Sequence, residues 1–171
     1  LAANEGWVLE HDIMEAGYNY QLQSIFEFLS GNKYKLLFGM KKPAVTDYPY
    51  HSDNLNENQN LIVKQALSAD DYYILQGPPG TGKTSKILMN ITSSMLDDEK
   101  RFGDIAILSF TNRAVNEIAQ NLIKNNIGFI RLGDDGSGSE YLLNKIVEDN
   151  NFEEIRNRIS SNRIILSTVH S

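Results

Sequence analysis

The chain has 171 residues, of which 41% are hydrophobic and 22% charged, so it is long enough for one layered domain with its own core. Its net charge of −6 argues against the strongly basic surface typical of duplex-binding proteins. The absence of cysteine excludes disulfides and thiolate metal sites, and the apolar runs are too short to cross a membrane. Because no signal-peptide pattern is present, we expect an intracellular protein, cytoplasmic or in a nucleus or nucleoid, that is not secreted and contacts no membrane.

The first 54 residues are rich in aromatic side chains and carry one helical pattern. Apolar residues recur at helical spacing between Ile13 and Leu29, which predicts an amphipathic helix. Ser30-Gly31-Asn32 is a typical helix end, and residues 41–54 read as a linker. We therefore expect residues 1–54 to form a mainly helical segment and a linker ahead of the main domain.

From Leu55 onward, apolar stretches that suit strands alternate with amphipathic stretches that suit helices. This alternation predicts an α/β fold with right-handed crossovers, in which helices cover both faces of a parallel sheet. We expect Tyr72–Gln76, Ile105–Ser109 and Ile164–Ser167 to be parallel strands of one sheet. The other predicted elements are the helices Glu57–Leu67, Lys83–Leu96, Arg113–Lys124 and Tyr141–Ile159 (broken near Asn150), the short strand Phe129–Arg131 and the loop Leu132–Ser139.

A glycine-rich segment follows the first predicted strand and matches the pattern G-x-x-x-x-G-K-[ST] at every fixed position. Its glycines allow a tight turn in which successive N–H groups face one concavity and hold phosphate oxygens. Lys83 can reach the β- and γ-phosphates, and the Thr84 hydroxyl can bind Mg²⁺. An incidental turn before a helix is disfavoured by the full match and its context. The predicted ATP-binding residues are Gly77, Pro78, Pro79, Gly80, Thr81, Gly82, Lys83, Thr84 and Ser85, with Lys83 and Thr84 as catalytic residues and Mg²⁺ on Thr84.

The segment Leu55-Asn56-Glu57-Asn58-Gln59 precedes this loop and resembles the adenine-reading motif of superfamily 1 and 2 helicases. A glutamine amide suits adenine because it can donate to N7 and accept from the N6 amine. The same residues match a capping box, in which Asn56 is the N-cap and Gln59 reaches back to it. Both interpretations stay open for Gln59, and the phosphate loop downstream favours adenine binding.

The segment Ser109–Ile118 follows the second predicted strand and resembles the A-x-[ST]-N-x-A-V-D-x-[IL] motif of superfamily 1 helicases, with Asn116 in place of the usual Asp. Hydroxyl and amide side chains at the carboxyl end of a parallel strand are placed to hold a phosphate backbone. The alternative is a helix N-cap formed by Thr111 or Asn112. We predict that Thr111, Asn112 and Thr168, which ends the last strand in a further helicase-like motif, contact single-stranded nucleic acid.

Together, these motifs make residues 55–171 resemble the first half of the first RecA-like motor domain of a superfamily 1 helicase. The resemblance points to the branch shared by nonsense-mediated-decay RNA helicases and the nuclease-helicases of Okazaki-fragment processing. Trp7–Glu15 and Phe26–Leu29 resemble the segment before the motor in nuclease-helicases, which implies a stalk-like helix at 13–29 and a barrel remnant at 1–9. The resemblance implies an ATP-dependent helicase that moves along a single strand, with DNA favoured over RNA.

The family's acidic D-E-A-x-Q segment is expected beyond Ser171, because no acidic pair in this chain follows an apolar strand. A second motor domain, and in the nuclease-helicases a nuclease domain, would lie elsewhere in the parent protein. Since phosphoryl transfer depends on these groups together, we expect the chain alone to be inactive. Two alternatives remain: a P-loop remodelling ATPase, which leaves Thr111–Val115 unexplained, and a non-catalytic nucleotide-binding scaffold, which has no need of Lys83.

Overall fold

The computed structural model describes residues 15–31, 33–133 and 138–169. The chain divides into two compact units, Leu1–Ala44 and Val45–Ser171. Within the described ranges, no helix combines the length and the apolar character needed to cross a membrane.

The described residues of the first unit include the helices α1 over Glu15–Ser30 and α2 over Tyr34–Leu37. From Glu15 onward α1 coincides with the helix expected at 13–29. The start of that helix and the barrel remnant expected at 1–9 lie outside the described residues. The stalk-like role of this segment and its boundary after residue 54 stay predictions, whereas the compact units divide after Ala44.

The second unit alternates helices with short strands. The helix expected from Lys83 begins with one π-helical turn that continues into a regular α-helix, and the break expected near Asn150 separates two helices. The elements are α3 (Glu57–Ser68), the π-turn (Lys83–Leu88), α4 (Met89–Asp97), β1 (Ile105–Ser109), α5 (Asn112–Lys124), β2 (Ile130–Arg131), a 3₁₀ turn (Ser139–Tyr141), α6 (Leu143–Asp149), α7 (Phe152–Ser161) and β3 (Ile164–Thr168).

The three strands form one parallel sheet in the order β1-β3-β2. β1 pairs with β3 from Ile105 opposite Ile164 to Ser109 opposite Thr168, and β2 pairs with the other side of β3. Parallel neighbours need long crossover connections, and α5, α6 and α7 supply them. The predicted parallel arrangement of residues 105–109 and 164–167 is therefore confirmed.

The strand predicted at Tyr72–Gln76 is wrong, because this segment belongs to no strand of the structure. Its apolar, β-prone composition suits a strand, but a strand also needs a neighbour that accepts its backbone hydrogen bonds. Ile74 is 76% exposed, and Leu75 packs against the cluster that includes Val63 and Ile87. The Tyr73 hydroxyl also donates to Gln65 Oε1 at 3.0 Å, so the segment reaches the phosphate loop outside the sheet and is held to α3 and its cluster by side chains.

One core cluster lies on one face of the sheet. Ile105, Ile107, Ile164 and Leu166 point toward α5 and pack with its buried face, a cluster that also includes Phe129. On the other face Leu108 is 56% exposed and Ile165 41% exposed. Ile130 pairs with Ile165 and is buried, and Ile159 of α7 lines a pocket together with both of them. In the part of the chain that the structure describes, helices therefore cover one face fully and the other face in part.

The end of the predicted linker, from Val45 onward, belongs to the second unit and is hydrogen-bonded within it. The Thr46 N–H donates to Ser68 O at 2.9 Å, and the Arg101 guanidinium donates to Thr46 O at 3.3 Å and to Leu67 O at 3.1 Å. Further along, the Ser52 N–H donates to the side-chain oxygen of Asn60 at 2.8 Å. These bonds fix the chain that leads into α3, the helix that carries Gln59.

Candidate nucleotide-binding site

The glycine-rich loop turns sharply between residues 72–76 and the π-turn. Gly80 and Gly82 both have φ of +79°, a backbone conformation that side chains with a Cβ disfavour. At Gly82 an added Cβ would also lie 3.4 Å from the Gln59 amide nitrogen and 3.5 Å from Lys86 Cβ. Glycine at these positions therefore allows the turn that brings Lys83 to the first position of the helix.

The helix after the loop begins with its free N–H groups at the loop. The Gly82 carbonyl accepts from Lys86 N at 2.9 Å and from Ile87 N at 3.0 Å, so one oxygen closes both an α-type and a π-type turn. Because the first helical bond starts at Lys86, the N–H groups of Lys83, Thr84 and Ser85 have no acceptor within the helix. Such N–H groups, with the positive end of the helix dipole, attract phosphate oxygens.

The Lys83 ammonium lies inside the loop. Nζ donates to the carbonyl of Gly77 and, at 2.6 Å, to the carbonyl of Pro78, with Thr81 Oγ1 at 3.4 Å. The Thr81 hydroxyl in turn donates to the Pro78 carbonyl at 2.9 Å. A phosphate is a stronger, charged acceptor, so the same ammonium can exchange loop carbonyls for phosphate oxygens.

Gln59 contacts both its own helix end and the loop. Its backbone N–H donates to Asn56 Oδ1 at 2.8 Å, and its Oε1 accepts from Asn56 N at 3.3 Å, which completes the capping box. Its Nε2 donates to the Thr81 carbonyl at 3.3 Å. An amide has two donor hydrogens and two acceptor lone pairs, so one donor and one lone pair remain for a base. Capping and adenine binding are therefore compatible, and adenine binding stays a prediction.

An open cleft of about 480 Å³ runs along the loop and the π-turn. It offers two ammonium groups and several hydroxyls, which suit a phosphate chain, and hard oxygen donors that suit Mg²⁺. Two of its lining residues, Lys86 and Glu117, are not among the site residues predicted from the sequence. Lys86 lies just beyond the glycine-rich motif, and Glu117 occupies a variable position of the Ser109–Ile118 segment, so neither motif specifies them. The lining residues are Gln59, Pro79, Gly80, Thr81, Gly82, Lys83, Thr84, Ser85, Lys86 and Glu117.

A second cleft, of about 470 Å³, lies between the start of α3 and the first half of the loop. Ile62, Leu75 and Ile87 give it apolar surface, and the side chains of Asn58 and Gln59 add polar groups. Gln59 lines both clefts. An apolar pocket with a few amides is the usual environment of a flat heteroaromatic ring beside its phosphates.

The predicted nucleic-acid contacts lie at the carboxyl edge of the sheet. Ser109 is paired with Thr168, and Val169 N donates to Ser109 O at 3.0 Å, so the ends of β1 and β3 are adjacent. Thr111 is the N-cap of α5, and its Oγ1 accepts from Ala114 N at 3.2 Å; Asn112 is the first residue of that helix. The ends of β1 and β3 are thus adjacent and the Thr111 hydroxyl oxygen caps α5, while contact of these residues with nucleic acid stays a prediction.

The described acidic residues form no cluster that suits a metal ion. Among residues 15–31, 33–133 and 138–169, no group of three or more His, Cys, Asp or Glu side chains is placed to hold a metal ion. Glu154 completes the capping box of α7 through Asn151. Asp134 and Asp135 lie outside the described residues.

A parallel α/β fold with this loop before a helix defines the class of P-loop nucleotide-binding proteins. A family model described as an AAA domain (AAA_11) matches residues 54–164, which is more than half of the chain. The chain therefore belongs to this family, the motor domain of superfamily 1 helicases.

Curated relatives agree with the helicase–nuclease branch. The DNA replication ATP-dependent helicase/nuclease JHS1 of Arabidopsis thaliana is 29% identical over 129 residues, 74% of this chain and 9% of the relative. The DNA polymerase alpha-associated DNA helicase A of Schizosaccharomyces pombe is 30% identical over 110 residues, 64% of this chain and 16% of the relative. The DNA replication ATP-dependent helicase/nuclease DNA2 of Gallus gallus is 40% identical over 81 residues, 46% of this chain and 8% of the relative. The aligned part is thus a small share of each relative.

Proposed function

We propose that the chain is the ATP-binding part of an ATP-dependent DNA helicase, which in the full-length protein couples ATP hydrolysis to translocation along a single strand. The observation that carries this proposal is the Lys83 ammonium held by loop carbonyls, with free N–H groups at the start of the helix beside it. A lysine in this position has a function when a triphosphate binds, and a passive scaffold has no need of it.

Each site residue receives one role. The loop from Gly77 to Ser85 holds the phosphates, Lys83 neutralises charge on the β- and γ-phosphates, and the Thr84 hydroxyl is a ligand of Mg²⁺. Gln59 binds adenine through the donor and lone pair that capping leaves unused. The ion supplies charge neutralisation of the phosphates when it is bound.

On this proposal the single strand binds at the carboxyl edge of the sheet. Thr111 accepts from Ala114 N through its oxygen, so its hydroxyl hydrogen stays available to a phosphate oxygen, and the Asn112 amide is an additional donor. Thr168 lies at the same edge, in register with Ser109. We choose single-stranded DNA over RNA because the names of the three relatives specify DNA helicases or DNA replication. A protein with that substrate acts inside the cell, where DNA is replicated.

The remaining catalytic groups belong to the rest of the motor. On this proposal residues 55–171 are the first part of a RecA-like domain, preceded by a stalk-like helical segment at 1–54. The acidic segment, a second motor domain and, as in a helicase–nuclease, a nuclease domain are other parts of the parent protein. The 171-residue chain should accordingly release no phosphate from ATP above the buffer rate. Phosphate release that survives purification and disappears in Lys83→Ala would contradict this expectation.

The test of the whole proposal is ATP hydrolysis by the full-length protein, stimulated by single-stranded DNA. Thr111→Ala and Asn112→Ala should raise the strand concentration for half-maximal stimulation to the same extent for any sequence, since phosphates carry no sequence information. Lys83→Ala should abolish hydrolysis with and without the strand. If both edge variants are half-saturated at the wild-type strand concentration, these two residues serve as helix caps alone.

A further inference from the structure

Glu117 places a carboxylate in a cleft that otherwise suits a phosphate chain. It lies in the second turn of α5 and lines the cleft together with Lys83, Thr84, Ser85 and Lys86. It is the one acidic side chain among the lining residues of that cleft. α5 packs against the π-turn, so contacts between these two elements set the position of Glu117.

The carboxylate of Glu117 is available for a ligand. The residue is exposed, and none of the ion pairs found in the described part of the chain includes it. Its backbone carbonyl accepts from the Asn121 side chain at 2.9 Å, a bond within α5 that leaves the carboxylate unused. The charge of Glu117 therefore acts on whatever occupies the cleft.

A carboxylate beside a triphosphate is repelled by it unless a cation lies between them. Mg²⁺ keeps several water molecules when it binds a nucleotide, and protein carboxylates hold the ion directly or through those waters. Thr84 and Ser85 provide hydroxyl oxygens in the same cleft, which fit a Mg²⁺–phosphate unit. The carboxylate of Glu117 therefore opposes binding of a metal-free triphosphate and favours binding of a triphosphate that carries Mg²⁺.

We propose that Glu117 is a positioning residue for the magnesium–nucleotide complex: its carboxylate accepts hydrogen bonds from water molecules bound to the ion that Thr84 and the phosphates hold. Glu117 thereby makes binding selective for the magnesium-loaded nucleotide and disfavours the metal-free triphosphate. This inference rests on the proposed nucleotide-binding function.

The experiment measures ATP binding to the 171-residue chain by titration calorimetry, once with excess Mg²⁺ and once with EDTA. The Kd with EDTA divided by the Kd with Mg²⁺ is the gain in affinity that Mg²⁺ provides. In Glu117→Gln this ratio should fall roughly threefold to tenfold, the size of a water-mediated hydrogen bond to a charged group. The Kd with EDTA should also decrease, because the repulsion between the carboxylate and the phosphates is gone.

The matched control is Glu148→Gln, which removes the same charge from an exposed position on α6 outside the cleft. An unchanged ratio in Glu117→Gln overturns the proposal. The same change of the ratio in Glu148→Gln also overturns it, because the effect would then come from net charge.

Lys83→Ala distinguishes a failure of the role proposed for Glu117 from a failure of the proposed nucleotide site. Weaker ATP binding in Lys83→Ala, together with an unchanged ratio in Glu117→Gln, refutes the role of Glu117 and leaves the nucleotide site standing. Equal binding by wild type and Lys83→Ala, or no binding at all, refutes the nucleotide site and the role of Glu117 with it.

Discussion

The phosphate loop and the carboxyl edge of the sheet are the two places where ligands are expected, and they are built in opposite ways. In the loop, Lys83 Nζ is held by backbone carbonyls of the same short segment. At the edge, β1 and β3 are joined by ladder hydrogen bonds, and the Thr111 hydroxyl caps α5. Loop bonds can be exchanged for bonds to a ligand without loss of a helix or strand, whereas bonds at the edge also stabilise the fold.

This difference separates binding effects from stability effects. Truncation of a loop side chain such as Lys83 should change nucleotide affinity and leave the free energy of unfolding nearly constant, because the loop is exposed or half-buried and buries little apolar surface. A substitution at the edge should change both. The three predictions that follow test this separation, from the largest expected effect to the smallest.

Lys83→Ala should weaken ATP binding by about 2 kcal/mol, roughly thirtyfold in Kd, because charge-assisted bonds from the ammonium to the phosphates are lost. The measurement is titration calorimetry with Mg²⁺, accompanied by urea unfolding to show unchanged stability. Lys86→Ala is the control, since Lys86 lines the same cleft but has no fixed position in the loop motif. Equal losses in the two variants would mean that the cleft attracts phosphate by general charge.

Gln59→Ala should lower the preference for ATP over GTP by roughly fivefold, about 1 kcal/mol, because one hydrogen-bonding amide is removed from the base. Asn56→Ala removes the other half of the capping box and should cost about 1 kcal/mol of unfolding free energy without a change in base preference. Competition binding with the two nucleotides measures the first effect, and urea unfolding the second. If Asn56→Ala lowers the preference as much as Gln59→Ala, Gln59 acts on the nucleotide through the cap.

Thr111→Ala should lower the free energy of unfolding by roughly 0.5 to 1 kcal/mol, because Ala114 N loses its side-chain acceptor. Thr111→Ser keeps a hydroxyl at the N-cap and should restore most of that stability. Urea unfolding of the chain measures both variants. A wild-type stability in Thr111→Ala would show that α5 does not depend on this cap, which contradicts the description of the edge as a stabilising element.

The glycine-rich loop, the capping box at Asn56 and most helices could be predicted from the sequence, because residues close together in the chain determine them. The spacing of Gly82, Lys83 and Thr84 defines a turn followed by a helix, and the pair Asn56 and Gln59 defines a helix start. The break between α6 and α7 follows in the same way from Asn151, which caps the second helix. Each of these features depends on hydrogen bonds between residues three to six positions apart.

Tertiary structure decided the features that depend on distant neighbours. Tyr72–Gln76 has the composition of a strand but lies outside the sheet, because a strand exists only where another backbone pairs with it. The order β1-β3-β2 and the placement of Ser109 beside Thr168 follow from crossover connections that composition does not specify. Glu117 enters the nucleotide cleft because α5 packs against the π-turn, so a residue at a variable motif position becomes a neighbour of Lys83 only through the packing of two helices.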